Sequence, residues 1–155
     1  MIGAARTIVL FDLYPGPLDL FGPDLEKAAS RGLTVAGVTY GDAPKLRIEH
    51  LQTHPWSSVS KRWPGQQITL ISDASEYLVT LLSADGKPIL YSAWSDSRYL
   101  ACLQHSGLAS EIQATAMART IPAALRSLNL LESNPPGLKQ LLGRPQSTKR
   151  RESTG

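Results

Sequence analysis

Cysteine is almost absent from this sequence, and so are long apolar runs. The single cysteine, Cys102, excludes an internal disulfide bond and fits a reducing compartment. No apolar run approaches the roughly 20 residues that a helix needs to span a bilayer. The first residues hold one arginine and a brief apolar stretch before an acid and two prolines, which is not the composition of a secretory signal. We therefore expect a cytoplasmic protein that makes no membrane contact.

An excess of charge is also missing from most of the chain, although its 155 residues carry a formal net charge of +3. Residues 144–155 contain four basic residues and one acid, so the whole excess lies in this tail and residues 1–143 are neutral overall. A neutral body is poor evidence for a nucleic-acid-binding surface. The sequence predicts one globular domain over residues 1–143 and a basic, disordered tail over residues 144–155.

The first part of the chain has the pattern of a strand, a helix and a second strand. Residues 5–14 and 33–41 are nearly continuous in apolar side chains, as buried parallel strands are. Between them apolar residues recur at helical spacing, and Gly32 follows as a C-cap. We expect the first turn of the regular helix at Pro23. This pattern indicates a βαβ unit whose two strands are parallel.

The middle of the chain contains further strand patterns. Residues 46–54 alternate between apolar and polar side chains, which indicates a short or edge strand. Three more candidates follow at 66–73, 76–83 and 88–94, and the last two are joined by Asp85-Gly86, a strong hairpin signal. We expect an antiparallel hairpin here.

The pattern becomes helical from Ser97 to about Leu131, with a break or kink at Pro122. Together the segments predict an α/β fold, with a mixed sheet, flanking helices and a long C-terminal helix. In such sheets ligands usually lie outside the carboxyl ends of the parallel strands.

Acids and aromatic residues gather at the predicted strand ends and in one loop. Aromatic rings cover the apolar patches of a sugar or another polar ring, while carboxylates accept its hydroxyl hydrogen bonds. The alternative is that the acids form turns and the aromatic residues fill the rim of the core. The candidate ligand-binding residues are Asp12, Tyr14, Tyr40, Asp42, Trp56, Trp94 and Asp96.

Two pairs of residues have a spacing that suits a metal or haem site. His50 and His54 lie four apart in a strand pattern, and Cys102 and His105 lie three apart in a helical one, so each pair shares a face. We favour solvated or packing roles for all four residues, because no CxxC pair accompanies them and Cys102 stands where a buried apolar residue is expected. We expect no bound metal or cofactor.

Several segments, in this order, resemble a known family. LEKAASRGLTVAGVTYG, GQQITLISDASEYLVTLL and ILYSAWSDSRYLACLQH are similar to the C-terminal effector domain of TrmB-like transcriptional regulators, which has a phospholipase D-like fold. The resemblance implies a small-molecule effector, such as a sugar, and operator DNA contacted only through a fused winged helix. No helix-turn-helix precedes the first strand here. We expect a sensor domain, either excised from a regulator or independent, that forms a homodimer.

The same resemblance implies a lost catalytic site. Enzymes of the phospholipase D superfamily carry His-x-Lys-x-x-x-x-Asp, in which the histidine is the nucleophile, the lysine binds phosphate and the aspartate orients the site. Counting back from Asp73, the lysine position holds Ile68 and the histidine position holds Gln66. Neither can attack phosphorus or neutralise a phosphate oxygen. We therefore predict a protein that is not an enzyme. The alternatives are a degenerate phosphodiesterase and a purely dimerising or interaction domain.

Overall fold

A six-stranded mixed sheet forms the centre of the protein, with the strand order β3-β2-β1-β4-β5-β6. The computed structural model describes residues 1–41, 46–54 and 63–117, apart from the side chain of His54. After a short 3₁₀ turn (Ile2–Ala4), the elements are β1 (Ile8–Leu13), α1 (Pro15–Ser30), β2 (Thr34–Tyr40), β3 (His50–His54), β4 (Gln66–Ser72), β5 (Glu76–Leu82), β6 (Ile89–Ser95) and α2 (Arg98–Ala116).

The sheet has a parallel half and an antiparallel half. β1 and β2 are parallel, as the βαβ pattern predicts, and β3 adds to β2 as a parallel edge strand. β4 lies antiparallel to β1, and β5 and β6 continue as an antiparallel meander. The hairpin predicted at Asp85-Gly86 is confirmed, with Gly86 at φ +74°.

α1 begins earlier than its sequence pattern indicates. Pro15 and Pro17 occupy the first turn, where backbone N–H groups have no intrahelical acceptor, so both prolines are tolerated. The expectation that Pro23 starts the regular helix is wrong, because Pro23 lies inside α1. The helix ends in a Schellman motif around Gly32, which has φ +86°. The N–H of Leu33 there donates to the carbonyl of Ala28 at 3.3 Å.

The main apolar core lies between the sheet and α1. Alternate residues of β1 point to this side, and they pack with apolar residues of α1 and with Ile68 and Leu70 of β4. Phe11 lies directly over Gly37, where a Cβ atom would come within 2.4 Å of the phenyl ring. The intervening residues of β1 and β2 therefore face the opposite side of the sheet. The buried residues of α2, which lies on that side, are Ala101, Leu108 and Ile112.

Several predictions lie outside the described residues. They are the continuation of the last helix to Leu131, the break at Pro122, the domain boundary at residue 143 and the basic tail. Within the part of the chain that is described, no helix is both long and apolar enough to cross a membrane.

Candidate functional site

Asp12 is a buried acid on the sheet face opposite α1. It is the last residue but one of β1, and its side chain is only 3% exposed. The amide Nε2 of Gln67, from the neighbouring strand β4, donates a hydrogen bond to Asp12 Oδ2 at 2.5 Å. The second carboxyl oxygen, Oδ1, is buried without a hydrogen-bond partner among the described residues. A buried carboxyl oxygen without a partner is uncommon, because it has lost its hydrogen bonds to water and has gained none from the protein.

Two tyrosines lie beside Asp12. Tyr14 directly follows β1 and Tyr40 ends β2, so the parallel register that pairs Leu13 with Thr39 brings the two rings to the same level. Their centroids are 4.3 Å apart at an interplanar angle of 41°. Both side chains are buried, and the Tyr40 hydroxyl hydrogen-bonds to the Asp12 carboxyl group. The structure thus brings the candidates Asp12, Tyr14 and Tyr40 together at the carboxyl ends of the parallel strands, and their binding of a ligand stays a prediction.

The electrostatics of this cluster come from burial and from a second acid, Glu111 of α2. Burial raises the pKa of Asp12 from 3.8 to about 7, and the negative charge of Glu111 adds to the rise. The hydrogen bonds from Tyr40 and Gln67 act in the opposite direction. Burial and the two carboxylates also raise the pKa values of Tyr14 and Tyr40, so both hydroxyls stay protonated. Loss of surrounding water raises the pKa of Glu111 itself, although much of its side chain reaches the surface.

Sequence reasoning missed Gln67, Thr69 and Glu111. The alternation within QQITLIS places Gln67 and Thr69 on one face of β4, and Gln67 Nε2 also donates to Thr69 Oγ1 at 3.3 Å. The antiparallel register sets Thr69 directly opposite Asp12. No pattern in the sequence indicates Glu111, because only the packing of α2 on the sheet brings it near Asp12. We call Asp12, Tyr14, Tyr40, Gln67 and Glu111 the acidic cluster.

The structure places Trp94 and Asp96 away from the acidic cluster. β6 runs opposite to β1, since each step from β1 through β4 and β5 to β6 reverses the strand direction. The carboxyl end of β6 therefore lies at the other edge of the sheet. Trp94 is 57% exposed there, and its Nε1 donates to Glu76 Oε2 at 3.4 Å. Asp42 and Trp56 lie outside the described residues.

Gln66 and Ile68, which the family resemblance aligns with the catalytic histidine and lysine, point to the α1 side of the sheet. Ile68 is 8% exposed and belongs to the apolar core. The amide Nε2 of Gln66 donates to the carbonyl of Ala84 at 3.2 Å, and its Oε1 is buried against Gly16. Neither side chain shares the face that carries Asp12.

Both carboxyl oxygens of Asp73 accept hydrogen bonds from backbone N–H groups. Oδ2 accepts from the backbone N–H of Arg6 at 2.8 Å, and Oδ1 accepts from Thr7 and Ile8 at 2.9 Å each. Partial burial acts to raise the pKa of Asp73, but these backbone hydrogen bonds outweigh it and hold that pKa below 3.8. Asp73 and Ala74 also form the β4–β5 turn, with φ values of 52° and 49°. In this protein Asp73 fastens the start of β1.

The residues considered for a metal or haem site are not gathered into one in the described part of the chain. His50 is largely exposed, and Cys102 Sγ donates to the carbonyl of Ala74 at 3.6 Å. His105 lies on α2, and its Nδ1 is buried without a hydrogen-bond partner. Among the described side chains, which exclude that of His54, no three histidines, cysteines or acids are grouped as metal ligands would be.

An open cleft of about 1040 Å³ lies elsewhere, beside the C-terminal end of α1 and the start of β2. Its wall combines Lys27 and Arg47 with Glu26 and Glu49, and Glu26 Oε1 accepts from the backbone N–H of Arg47 at 2.7 Å. This cleft is at the amino ends of the parallel strands, whereas ligands of open α/β sheets lie at the carboxyl ends. The acidic cluster is therefore the better candidate.

No protein-family model matches the chain, and no curated protein matches its sequence. Solved structures do match its fold. NucT from Helicobacter pylori is 14% identical with a TM-score of 0.54, over 74% of this chain and 83% of NucT. TrmBL2, an archaeal chromatin protein whose structure shows a novel mode of DNA binding, is 13% identical with a TM-score of 0.53. That match covers 72% of this chain but only 45% of TrmBL2.

A third structure, the phospholipase D family member Nuc from Salmonella typhimurium, is 17% identical with a TM-score of 0.46, over 74% of this chain and 80% of Nuc. At identities this low the matches describe the fold alone. The six-stranded mixed sheet and the match to NucT confirm the predicted phospholipase D-like fold.

Proposed function

We propose that this chain is a small-molecule-binding domain that senses an effector. The observation that carries the proposal is the acidic cluster at the carboxyl ends of β1 and β2, with its unpartnered oxygen Asp12 Oδ1. Asp12 supplies an acceptor, while Tyr14 and Tyr40 supply hydroxyls and ring faces. This combination suits a small polar ligand, of which the sugar implied by the family resemblance is one example.

We propose that the domain is not a phosphodiesterase of the phospholipase D type. Ile68 at the lysine position is part of the apolar core, and Gln66 at the histidine position is held by the Ala84 carbonyl. Asp73, the remaining member of that triplet, has its carboxylate occupied by the backbone of residues 6–8. All three side chains thus have structural roles, and none can supply a nucleophile or a cation to phosphorus.

The regulatory role that we propose follows the likeness to TrmBL2, which supports a place for this fold in DNA-associated proteins. In this scheme DNA is contacted by a fused DNA-binding domain, while the domain described here receives the ligand. Ligand binding would favour one of two domain arrangements in proportion to its difference in affinity for them.

We further propose a homodimer built on β6 and the start of α2. Six of the eight large apolar side chains exposed in the described residues lie here: Ile89, Tyr91, Trp94, Tyr99, Leu100 and Leu103. β6 is an edge strand whose sequence, ILYSAWS, contains no charge or proline to discourage pairing. A second copy fits best, because two uncharged edges can pair antiparallel about a two-fold axis without like-charge repulsion.

Sedimentation of the intact protein tests the dimer. We expect a dimer that dissociates when Tyr91→Glu and Trp94→Glu are combined, because the glutamates of the two copies then bring like charges close together in the interface. Leu20→Glu is the matched control, since Leu20 is an apolar residue 71% exposed on α1. A dimer that survives the double variant, or a monomeric wild type, contradicts this interface.

A thermal-shift screen with sugars, nucleotides and amines tests the binding function. We expect a stabilising ligand whose effect is lost in Asp12→Asn and kept in Asp19→Asn, which changes an exposed acid of α1. If no compound stabilises the protein, or if Asp12→Asn leaves every shift unchanged, the proposed site is wrong.

A further inference from the structure

The acidic cluster contains two carboxyl groups and lacks a compensating cation among the described residues. The groups that act on Asp12 are the Glu111 carboxylate, the Tyr40 hydroxyl and the Gln67 amide. Of these, only Glu111 is charged, and its charge has the same sign as that of Asp12. Two like charges close together, one of them buried, are unfavourable unless a proton or a cation joins them.

Asp12 Oδ1 points to the kind of group that is missing. The oxygen is buried and has no hydrogen-bond partner in the described part of the chain, whereas Oδ2 already accepts from Gln67. An unpartnered carboxylate oxygen calls for a hydrogen-bond donor, and a charged donor gives a shorter and stronger bond than a neutral one. The tyrosine rings next to it, 4.3 Å apart, offer aromatic surface that attracts cations.

Glu111 indicates how such a group reaches Asp12. Its side chain is exposed, and its charge acts on Asp12, Tyr14 and Tyr40, so a negative charge lies at the surface near the buried acid. A cation that approaches past Glu111 is attracted before it loses its water. An anionic phosphodiester is repelled by the same two carboxylates.

Resting on the proposed ligand-binding function, we propose that the ligand of the acidic cluster is a small amine, whose ammonium group donates to Asp12 Oδ1 and is balanced by Glu111. The tyrosine rings pack against the methylene groups of the amine. The binding step needs no covalent chemistry. Where Asp12 carries a proton beforehand, that proton passes to solvent as the ammonium group takes its place.

Calorimetry on the intact protein tests the charge of the ligand. It uses three four-carbon probes that differ only in their head group, together with glucose as an uncharged polar comparison. We expect butylammonium to bind, and 1-butanol, butyrate and glucose to bind at least about tenfold more weakly or not at all. Asp12→Asn should weaken butylammonium by more than about tenfold, whereas Asp19→Asn should leave it unchanged. A cooperative thermal transition establishes that each variant is folded.

The pH profile separates a ligand contact from a structural role of Asp12. As the pH increases towards about 7, Asp12 loses its proton, and affinity for butylammonium should increase about tenfold per pH unit. Above about pH 7 the affinity should stay constant. Glu111→Gln should weaken binding at pH 8 and shift the profile to lower pH, because it removes the charge that helps to raise the pKa of Asp12. A pH-independent affinity contradicts the proposal.

The outcomes distinguish a wrong ligand class from a wrong binding site. If glucose or 1-butanol binds in an Asp12-dependent way and butylammonium does not, the site is a ligand site but the cationic ligand is wrong. If potassium chloride gives the Asp12-dependent effect and butylammonium does not, the site takes a metal cation and the amine is wrong. If no probe binds at millimolar concentration, the amine proposal fails, and the wider thermal-shift screen then decides the binding function.

Discussion

The carboxylate of Asp73 and the backbone N–H of Ile8 are joined by a hydrogen bond of 2.9 Å across 65 residues of sequence. Two further bonds to Arg6 and Thr7 make Asp73 an acceptor for three successive backbone donors. The chain that enters β1 is thereby fixed to the turn between β4 and β5. This contact gives the acid at the end of QQITLISD a structural role.

Asp73→Ala should lower the free energy of unfolding by about 2 kcal/mol, because three backbone donors lose a charged acceptor. Asp73→Asn should cost less, since its amide oxygen still accepts. Urea denaturation measures both, with Asp24→Ala on the exposed face of α1 as the control. The folded-state pKa of Asp73 is lowered, so its contribution is present above pH 3.8 and is lost as the pH falls through that lowered value. An Asp73→Ala protein as stable as the wild type at pH 7 contradicts this role.

Asp12→Asn should raise stability at neutral and alkaline pH. The pKa of Asp12 is raised from 3.8 to about 7 in the folded protein, so the folded state binds the proton more tightly than the unfolded state does. Wild-type stability should therefore fall as the pH rises from about 4 to about 7, by an amount on the order of 4 kcal/mol. The asparagine variant lacks this loss and retains an acceptor for Gln67. Parallel stability curves for the two proteins over this pH range would show that Asp12 titrates normally.

Ala74→Gly should stabilise the protein by about 1 kcal/mol, because Ala74 has a φ of 49°, where a Cβ atom is strained. The same substitution in the middle of α2, Ala109→Gly, should destabilise by a similar amount, since glycine is a poor helix former. Thermal unfolding measures both changes. A loss of stability in Ala74→Gly would indicate that the methyl group packs usefully in the turn.

Restoring the catalytic triplet should fail. In the double variant Gln66→His, Ile68→Lys, the lysine ammonium is forced into the apolar core beneath α1, which costs several kcal/mol. We expect a strongly destabilised protein without turnover of bis-p-nitrophenyl phosphate. Ile68→Val is the control for packing alone and should cost about 1 kcal/mol. Hydrolysis above the buffer rate by either the wild type or the double variant would revive the phosphodiesterase alternative.

Local patterns in the sequence predict the βαβ unit, the hairpin and the meeting of Asp12 with Tyr14 and Tyr40. Consecutive parallel strands end at the same edge of the sheet, so the order of the strands alone indicates that the residues at their ends lie close together. The same reasoning does not bring Trp94 and Asp96 to that edge, because β6 runs the other way. Glu111 depends on how α2 packs across the sheet, a tertiary relationship that local pattern does not encode. Pro23 shows that a helix can begin well before a proline that the local pattern takes as its first turn.

The position of β4 beside β1 has a consequence for how the chain folds. The βαβ unit and the β4–β6 meander each form from neighbouring segments, but Gln67 and Asp12, which join them, are 55 residues apart. Closing so long a loop costs entropy before any contact compensates for it. The pairing of β1 with β4 should therefore form late in folding. Once it has formed, the hydrogen bonds of the Asp73 carboxylate hold the βαβ unit against the β4–β6 meander.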